Sequence, residues 1–509
     1  MAVHSVLFRR AEDRDAARDE PPFFRDLNLD RVIDAIVAGR EQYDLKPFFS
    51  APLRDVDEVA YRHEVFRDLE RPDVAAGIRA FAQAMRSRRE HLEQVTKLRY
   101  QLQKQAWSLD AIGIYVDAVR TLCEHLRAVG IRSRGLLALR DHLSRYVASD
   151  GFVALASDTA ERKDALAKIE YGLHIEAGRV TVGYYEGEAD YATEVLAAFE
   201  KFERGAAKDY RRRYRDDLEM DQVEAGVLER VALRFPEVFG ALAEHCRRHA
   251  DHLDPTVAAF DREVQFYLAY LELIARFRPL HLGFSYPVVS DRSKEMCARD
   301  TFDLALATKL LEAKKAPVPN DLELTGAERI VVVTGPNSGG KTTLARTVGQ
   351  LHYFASLGCP VAGREVRLFL TDRIFTHFER AERLGDLRGK LKDDLLRIHG
   401  ILERATSSSV LILNEAFTST TFRDALFLST KVMERIVRLD LLCVWVTFVD
   451  ELASMGATTV SMVSQVSPAD PAIRTFKIER RRPDGRAYAD AIAAKHGLSY
   501  ERLRERLRS

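Results

Sequence analysis

Apolar positions recur at helical spacing through most of the first 280 residues. Leu29, Val32, Ile33, Ile36 and Val37 form one stripe, and Val257, Phe260, Val264, Tyr267, Leu268, Leu271 and Ile274 form another within Thr256 to Phe277. Glycine and proline are sparse in these stretches. One segment breaks the period: Gly178-Arg179-Val180-Thr181-Val182-Gly183-Tyr184-Tyr185 is β-branched and aromatic between glycines, which predicts a short strand or hairpin near 178–186. Residues 1–22 are charged and weakly patterned and read as a mobile arm. From about residue 284 the period changes. Strand-like runs at 330–334, 410–413 and 441–447 alternate with helical runs at 344–357, 393–405 and 424–439. That alternation predicts βαβ units and a largely parallel sheet. Near the end, Arg482-Pro483-Asp484-Gly485 is a turn signal. A helical pattern over 487–507 is interrupted at Lys495-His496-Gly497-Leu498-Ser499, a helix stop followed by a new N-cap. The expected division is therefore an arm (1–22), a mainly α domain (23–283) and an α/β domain (284–509). No internal repeat is visible.

At 509 residues the length is that of roughly three domains. Apolar residues make up 46%, enough for real cores, and the 30% of charged residues suits long exposed helices. Lys plus Arg equals Asp plus Glu, 77 each, so any nucleic-acid contact must come from a local patch, not from overall charge. Cys123, Cys246, Cys297, Cys359 and Cys443 lie far apart without a C-x-x-C pair and read as reduced thiols, mostly buried, of a cytoplasmic protein. No apolar run approaches the roughly 18 residues of a membrane span. The N-terminus lacks an apolar signal region, since Val6-Leu7-Phe8 gives way at once to Arg9-Arg10-Ala11-Glu12-Asp13.

The decisive motif follows the first strand-like run of the α/β half. Gly335-Pro336-Asn337-Ser338-Gly339-Gly340-Lys341-Thr342 is G-x-x-x-x-G-K-[ST], directly after a strand pattern and directly before a helix pattern. Glycines let backbone N–H groups converge on phosphate oxygens without Cβ clashes. The helix that follows points its positive end at the same anion. Lys341 supplies a charge for the β- and γ-phosphates, Thr342 offers a hydroxyl to Mg²⁺, and Thr343 completes the loop. The expected ligands are ATP and Mg²⁺. Further on, Val410-Leu411-Ile412-Leu413 is an apolar strand that ends in Asn414-Glu415. A phosphate-loop ATPase needs one oxygen here for the Mg²⁺ shell and then an acid to polarise the attacking water. Glu415 fits the catalytic role. Asn414 stands in the metal role, where an Asp is usual, and its amide brings no charge. Weaker Mg²⁺ binding and slow turnover follow.

Residues 320 onward resemble the MutS mismatch-repair ATPases. The resemblance rests on Thr334-Gly335-Pro336-Asn337-x-Gly339-Gly340-Lys341, on Asp372-Arg373-Ile374-Phe375-Thr376, and on Asn414-Glu415 followed by Thr418-Ser419-Thr420-Thr421 and Asp424. Ala491-Ile492-Ala493-Ala494 to Gly497-Leu498-Ser499 looks like the family's terminal helix-turn-helix, used in dimerisation. Pro52-Leu53-Arg54-Asp55 through Arg62-His63 to Leu69 resembles the start of its lever and core region. The resemblance implies a mainly α lever and core half joined to an ABC-type P-loop ATPase domain. It also implies a homodimer through that domain, with ATP binding as a switch and DNA as the partner. The chain starts almost at the lever, so the family's mismatch-reading and connector domains are expected to be absent.

Several positions depart from the family pattern. Phe235-Pro236-Glu237 matches the mismatch wedge only as a string, inside the helical half. The family's Thr-His is Thr447-Phe448 here, and a phenyl ring cannot hydrogen-bond to water or phosphate. The serine of its trans-acting loop aligns near Gly389-Lys390, with Arg388 or Lys390 as alternative charges. The densest basic and aromatic cluster of the helical half is Tyr210-Arg211-Arg212-Arg213-Tyr214-Arg215, in which Arg211, Arg212 and Arg213 are the candidate nucleic-acid contacts. Asp209, Asp216, Asp217 and Glu219 flank it, as on a solvated face. Three functions remain open: an ATP-gated dimeric clamp on structured or branched DNA in repair or recombination, an RNA- or ribosome-associated ATPase, and a nucleotide-gated scaffold with little hydrolysis.

Overall fold

The computed structural model describes residues 4–9, 20–176, 178–187, 220–379, 389–470 and 473–483. The arginines at 211–213, the turn at 484–485 and the whole of 487–507 lie outside the described residues. Along the first half run α1 (Leu29–Val37), α2 (Lys46–Phe49), α3 (Val56–Glu70), α4 (Pro72–Lys97), α5 (Gln101–Ala128), α6 (Arg134–Val147) and α7 (Asp150–Ala167). A hairpin of β1 (Tyr171–Glu176) and β2 (Arg179–Tyr184) follows, then α8 (Gln222–Arg234), α9 (Pro236–Arg248) and α10 (Pro255–Ala275). The second strand of this hairpin lies within the segment expected to be β near 178–186, and the first begins upstream of it.

Later come β3 (Phe284–Ser285), β4 (Val288–Ser290), β5 (Met296–Thr301), α11 (Leu304–Leu310), β6 (Asn320–Leu324), β7 (Ile330–Thr334) and α12 (Lys341–Ser356). After these are β8 (Val361–Ala362), β9 (Glu365–Phe369), β10 (Ile374–Phe378), α13 (Lys390–Arg404), β11 (Val410–Asn414) and α14 (Phe422–Leu439). The last described strands are β12 (Leu442–Val446), β13 (Thr459–Val466) and β14 (Arg474–Arg480). No described helix is long and apolar enough to cross a membrane.

The chain divides into two compact units. One holds Met1–Glu70, Arg132–Gly135 and Arg262–Ser509; the other holds Arg71–Ile131 and Leu136–Asp261. These bounds differ from the expected 22 and 283. The physical reason lies in the helix after the glycine loop. Gln350 of α12 donates to Leu27 O at 2.9 Å, Arg62 donates to Leu357 O at 2.8 Å, and Leu53 N donates to Ser356 O at 2.7 Å. Phe23 and Phe24 lie edge-on to Tyr353. The early helices are thus part of the α/β core. Part of the expected arm is packed too. Val6, Leu7 and Phe8 are buried, and Tyr267 donates its hydroxyl proton to Val6 O at 2.7 Å. Three consecutive apolar residues between Ser5 and Arg9 form a short plug, a signal too brief for a periodicity reading.

In this first unit the main sheet has the order β10-β11-β12-β7-β13-β14. Neighbours pair in parallel except β13 with β14. Every residue of β7, β11 and β12 is buried, as expected for parallel strands covered on both faces. On one face Ile330, Val332, Leu411, Leu413, Cys443 and Trp445 pack with Ile398 and Ile401 of α13 and Met433 and Ile436 of α14. The other face takes α12. A Cβ on Gly349 would stand 2.7 Å from both Ile412 Cδ1 and Leu27 Cδ1, so glycine there permits the close approach of helix to strand. A smaller sheet has the order β4-β9-β5-β6.

The second unit is a helical assembly with the β1–β2 hairpin. Its core includes Phe81, Tyr115, Val119, Leu122 and Phe260. The Tyr115 and Tyr146 hydroxyls meet at 2.9 Å, and Tyr115 OH accepts from Asp254 N at 3.1 Å. Cys123, Cys297, Cys359 and Cys443 are buried free thiols, and Cys246 is half-buried.

Candidate functional site

The glycine loop begins where β7 ends and closes at the first turn of α12, at the carboxyl edge of the parallel strands, where open α/β sheets place their ligands. Three left-handed residues shape it: Gly335 (φ 110°), Ser338 (φ 61°) and Gly340 (φ 94°). Gly335 and Gly339 are also required for space. A Cβ on Gly339 would lie 2.1 Å from Ser464 Oγ, and one on Gly335 would lie 3.0 Å from the Ser464 backbone.

Lys341 is 6% exposed and donates to Gly335 O at 2.7 Å and to Asn337 Oδ1 at 3.2 Å. Burial pushes its ammonium below the usual lysine range, Glu415 and Asp450 pull it back up, and Arg474 lowers it further. A buried cation that is coordinated only by neutral oxygens, with two carboxylates nearby, suits an anion as its partner. Thr342 donates its hydroxyl proton to Asn414 Oδ1 at 2.8 Å. The sheet order brings these two residues together, for β11 lies two strands from β7 with β12 between. Asn414 is 8% exposed and Thr342 is half-buried.

Glu415 takes φ 56° and donates its N–H to Val446 O at 2.9 Å. The left-handed turn lifts its side chain out of β11 from a fixed backbone. The side chains of Lys341, Thr342, Thr343 and Glu415 line one end of a cavity of about 700 Å³, within the size range of small-molecule sites. Leu306, Leu310, Pro317, Val318 and Phe476 make an apolar wall.

Several contributors carried no motif in the sequence. Ser464 of β13 donates to Gly339 O at 2.7 Å, and Arg474 of β14 donates to Asn337 O at 3.1 Å. The described peptide bonds are trans, and in a trans peptide the C=O and the next N–H point opposite ways. The N–H groups of Ser338 and Gly340 therefore point away from Arg474 and Ser464. Phe476 sits at φ 60°, held by Asn320, which donates to Phe476 O at 3.1 Å and accepts from Ile478 N at 2.8 Å. Asn320 is in β6 and Phe476 in β14, and only the assembled fold joins them.

The departures also have places. Thr447 N donates to Val333 O at 3.1 Å, so Phe448 follows directly after the end of the central strand pair. Its ring is 45% exposed and stands 6.3 Å from Phe422. Thr421 caps α14 by accepting from Asp424 N. Gly389 precedes the first turn of α13, and the Lys390 ammonium pairs with Glu379, so that charge is engaged within the chain. Phe235-Pro236-Glu237 forms the junction of α8 and α9, where Phe235 packs edge-on against Tyr184.

Comparison with known proteins gives the following likenesses. Residues 331–481 match the family model of MutS domain V. The DNA mismatch repair protein MutS of Thermus aquaticus is 26% identical over 287 residues, which cover 56% of this chain and 33% of that protein. MutS of Lysinibacillus sphaericus is 26% identical over 371 residues, 68% of this chain and 41% of that protein. The DNA mismatch repair protein MSH3 of Eremothecium gossypii is 30% identical over 141 residues, 28% of this chain and 14% of that protein. The chain thus spans 33% to 41% of the length of these two MutS relatives.

Proposed function

Because the chain is a MutS-family protein, we propose that it is an ATP-binding, DNA-binding ATPase whose nucleotide state gates a dimeric clamp on structured or branched DNA. The observation that carries the reading is the meeting of Lys341, Thr342, Asn414 and Glu415 at the strand ends, beside a cavity of about 700 Å³. The residues present fit Mg-ATP. Gly335 and Gly339 leave room where a Cβ would press on Ser464, and Gly340 takes a left-handed φ of 94°. Thr342 Oγ1 and Asn414 Oδ1 are hard oxygen donors of the kind Mg²⁺ takes.

Lys341 exchanges Gly335 O and Asn337 Oδ1 for phosphate oxygens, and its burial protects that contact from screening. The Ser338 and Gly340 N–H groups, with Thr343 in the first turn of α12, cradle the same anion. Pro336 keeps the loop's entry stiff. The apolar wall with Phe476 takes the base. Mg-ATP supplies the transferable phosphoryl group and the divalent charge that neutralises it. Glu415 orients the attacking water and accepts its proton. Asn414 holds the metal shell without adding charge, and Phe448 adds no hydrogen bond, so hydrolysis is slow and binding is the switch.

The names of the relatives support DNA as partner, and homodimerisation through the ATPase domain follows the same resemblance. Arg211, Arg212 and Arg213 are the proposed contacts. Changing all three to Glu reduces DNA affinity and flattens its salt dependence if they are. Calorimetry of wild type and Lys341→Ala tests the nucleotide site, and equal ATP affinity refutes it. Turnover measured with duplex, branched and single-stranded DNA and with RNA tests the partner. Stimulation by RNA alone favours the ribosome- or RNA-associated reading. The exposed ring of Phe448 and the neutral Asn414 favour a second reading, a nucleotide-gated scaffold. Phosphate release no faster than that of Glu415→Ala selects it.

A further inference from the structure

The second unit holds a set of nitrogen and oxygen donors that the nucleotide site does not use. His245 lies in α9 and His249 follows its last residue, four positions on, so both imidazoles project from one face. Their ring centroids are 4.7 Å apart. Asp158 of α7 faces them, with Oδ2 3.5 Å from His249 Nε2. One donor atom from each residue lies within 4.8 Å of the other two.

His245 Nδ1 is buried without a hydrogen-bond partner, and His249 Nε2 faces only the Asp158 carboxylate at 3.5 Å. His245 is 5% exposed, and its other nitrogen is 3.4 Å from Thr159 Oγ1. Buried imidazole nitrogens ordinarily find partners, and one without any, beside a second imidazole and a carboxylate, points to a missing ligand.

We propose that Asp158, His245 and His249 form a site for a divalent transition cation, zinc by donor chemistry, with water in the fourth position. Two imidazole nitrogens and one carboxylate oxygen match zinc's tetrahedral preference, whereas Mg²⁺ requires a shell of oxygens. Bonds of about 2.0–2.2 Å bring tetrahedral donors closer together than they stand here. Asp158, whose side chain is 35% exposed, can rotate inward. Arg248 Nη1 lies 3.6 Å from Asp158 Oδ2 and competes with the cation. Its side chain is 60% exposed and also reaches Glu244 at 3.7 Å, to which it withdraws. Arg162 adds positive charge near His245, so the affinity is moderate. The bound cation ties α7 to α9.

The test uses the full chain stripped with a chelator and titrated calorimetrically with zinc chloride, with magnesium chloride as comparison. His249→Gln and Asp158→Asn, both at partly exposed positions, each weaken zinc binding by about tenfold or more, and magnesium gives no heat that either variant removes. Thermal unfolding of both variants without metal verifies that they fold, and zinc raises the wild-type melting temperature but not theirs. The proposal is overturned if wild type binds no zinc, or if the double variant binds it with wild-type stoichiometry and affinity.

Discussion

The substitution Asn414→Asp isolates the charge missing from the metal position. Asn414 is 8% exposed and already accepts a hydrogen bond from Thr342 Oγ1 at 2.8 Å, so a carboxylate of the same shape keeps that bond. Two unit charges about 4 Å apart attract by about 4 kcal/mol at an effective dielectric of about 20. A divalent cation across one water doubles this to about 8 kcal/mol, and removing a carboxylate from water costs several kcal/mol of it. The net gain is about 1.5–3 kcal/mol, or roughly tenfold to a hundredfold in Mg²⁺ affinity. The metal-free protein shows the opposite sign. A buried carboxylate with one neutral donor lowers stability by about 1–3 kcal/mol, and Mg-ATP restores it. Mg²⁺ titration of ATP turnover measures the first effect, and urea unfolding with and without Mg-ATP measures the second. An unchanged Mg²⁺ midpoint together with unchanged metal-free stability refutes the assignment of Asn414 to the metal shell.

Other expectations follow from neighbouring residues. Glu415→Ala retains ATP affinity in calorimetry but drops phosphate release by about 10²–10⁴-fold, the usual contribution of a positioned base; loss of binding instead would show a structural role. Gly339→Ala costs about 1–3 kcal/mol through its clash with Ser464 Oγ and weakens ATP binding. Adding Ser464→Ala recovers part of the affinity, and no recovery places the clash elsewhere. Burial holds the His352 ring at about pKa 4, below its usual value of 6.5. The unfolded chain therefore binds the extra proton first, and this contribution to stability, full above about pH 6.5, is lost as pH falls toward 4. His352→Gln flattens that limb of a pH series of urea midpoints, whereas an unchanged slope assigns it to other groups.

The strands and helices around the loop were legible because parallel strands buried on both faces leave continuous apolar runs. The Ile330–Thr334 strand was read to the residue, and the 410–413 and 441–447 runs to within a residue at each end. The helix after the loop begins at Lys341, before the expected Leu344, because a glycine loop closes directly into a first turn whose side chains are polar. The packing of Val6-Leu7-Phe8 was not legible because three residues carry no period. Likewise the unit boundary, which depends on Arg62 meeting Leu357 and Leu27 meeting Gln350 across hundreds of residues, leaves no local trace. Within the site, Lys341, Thr342, Asn414 and Glu415 announced themselves by spacing. Asn320, Ser464, Arg474 and Phe476 did not, since a serine or arginine in an edge hairpin looks like any other.

The β13–β14 hairpin has a consequence for where this protein can be cut. Every quoted motif of the loop and acid pair lies between Gly335 and Phe448, so a fragment ending before Thr459 would contain the full signature. It would nevertheless lack the Ser464 and Arg474 donors that hold the carbonyls of Gly339 and Asn337. The peptide planes of its loop would be free to flip, and their N–H groups would no longer be committed to one side. The recognisable stretch and the smallest competent piece are therefore different objects, and the second includes a strand pair that no signature marks.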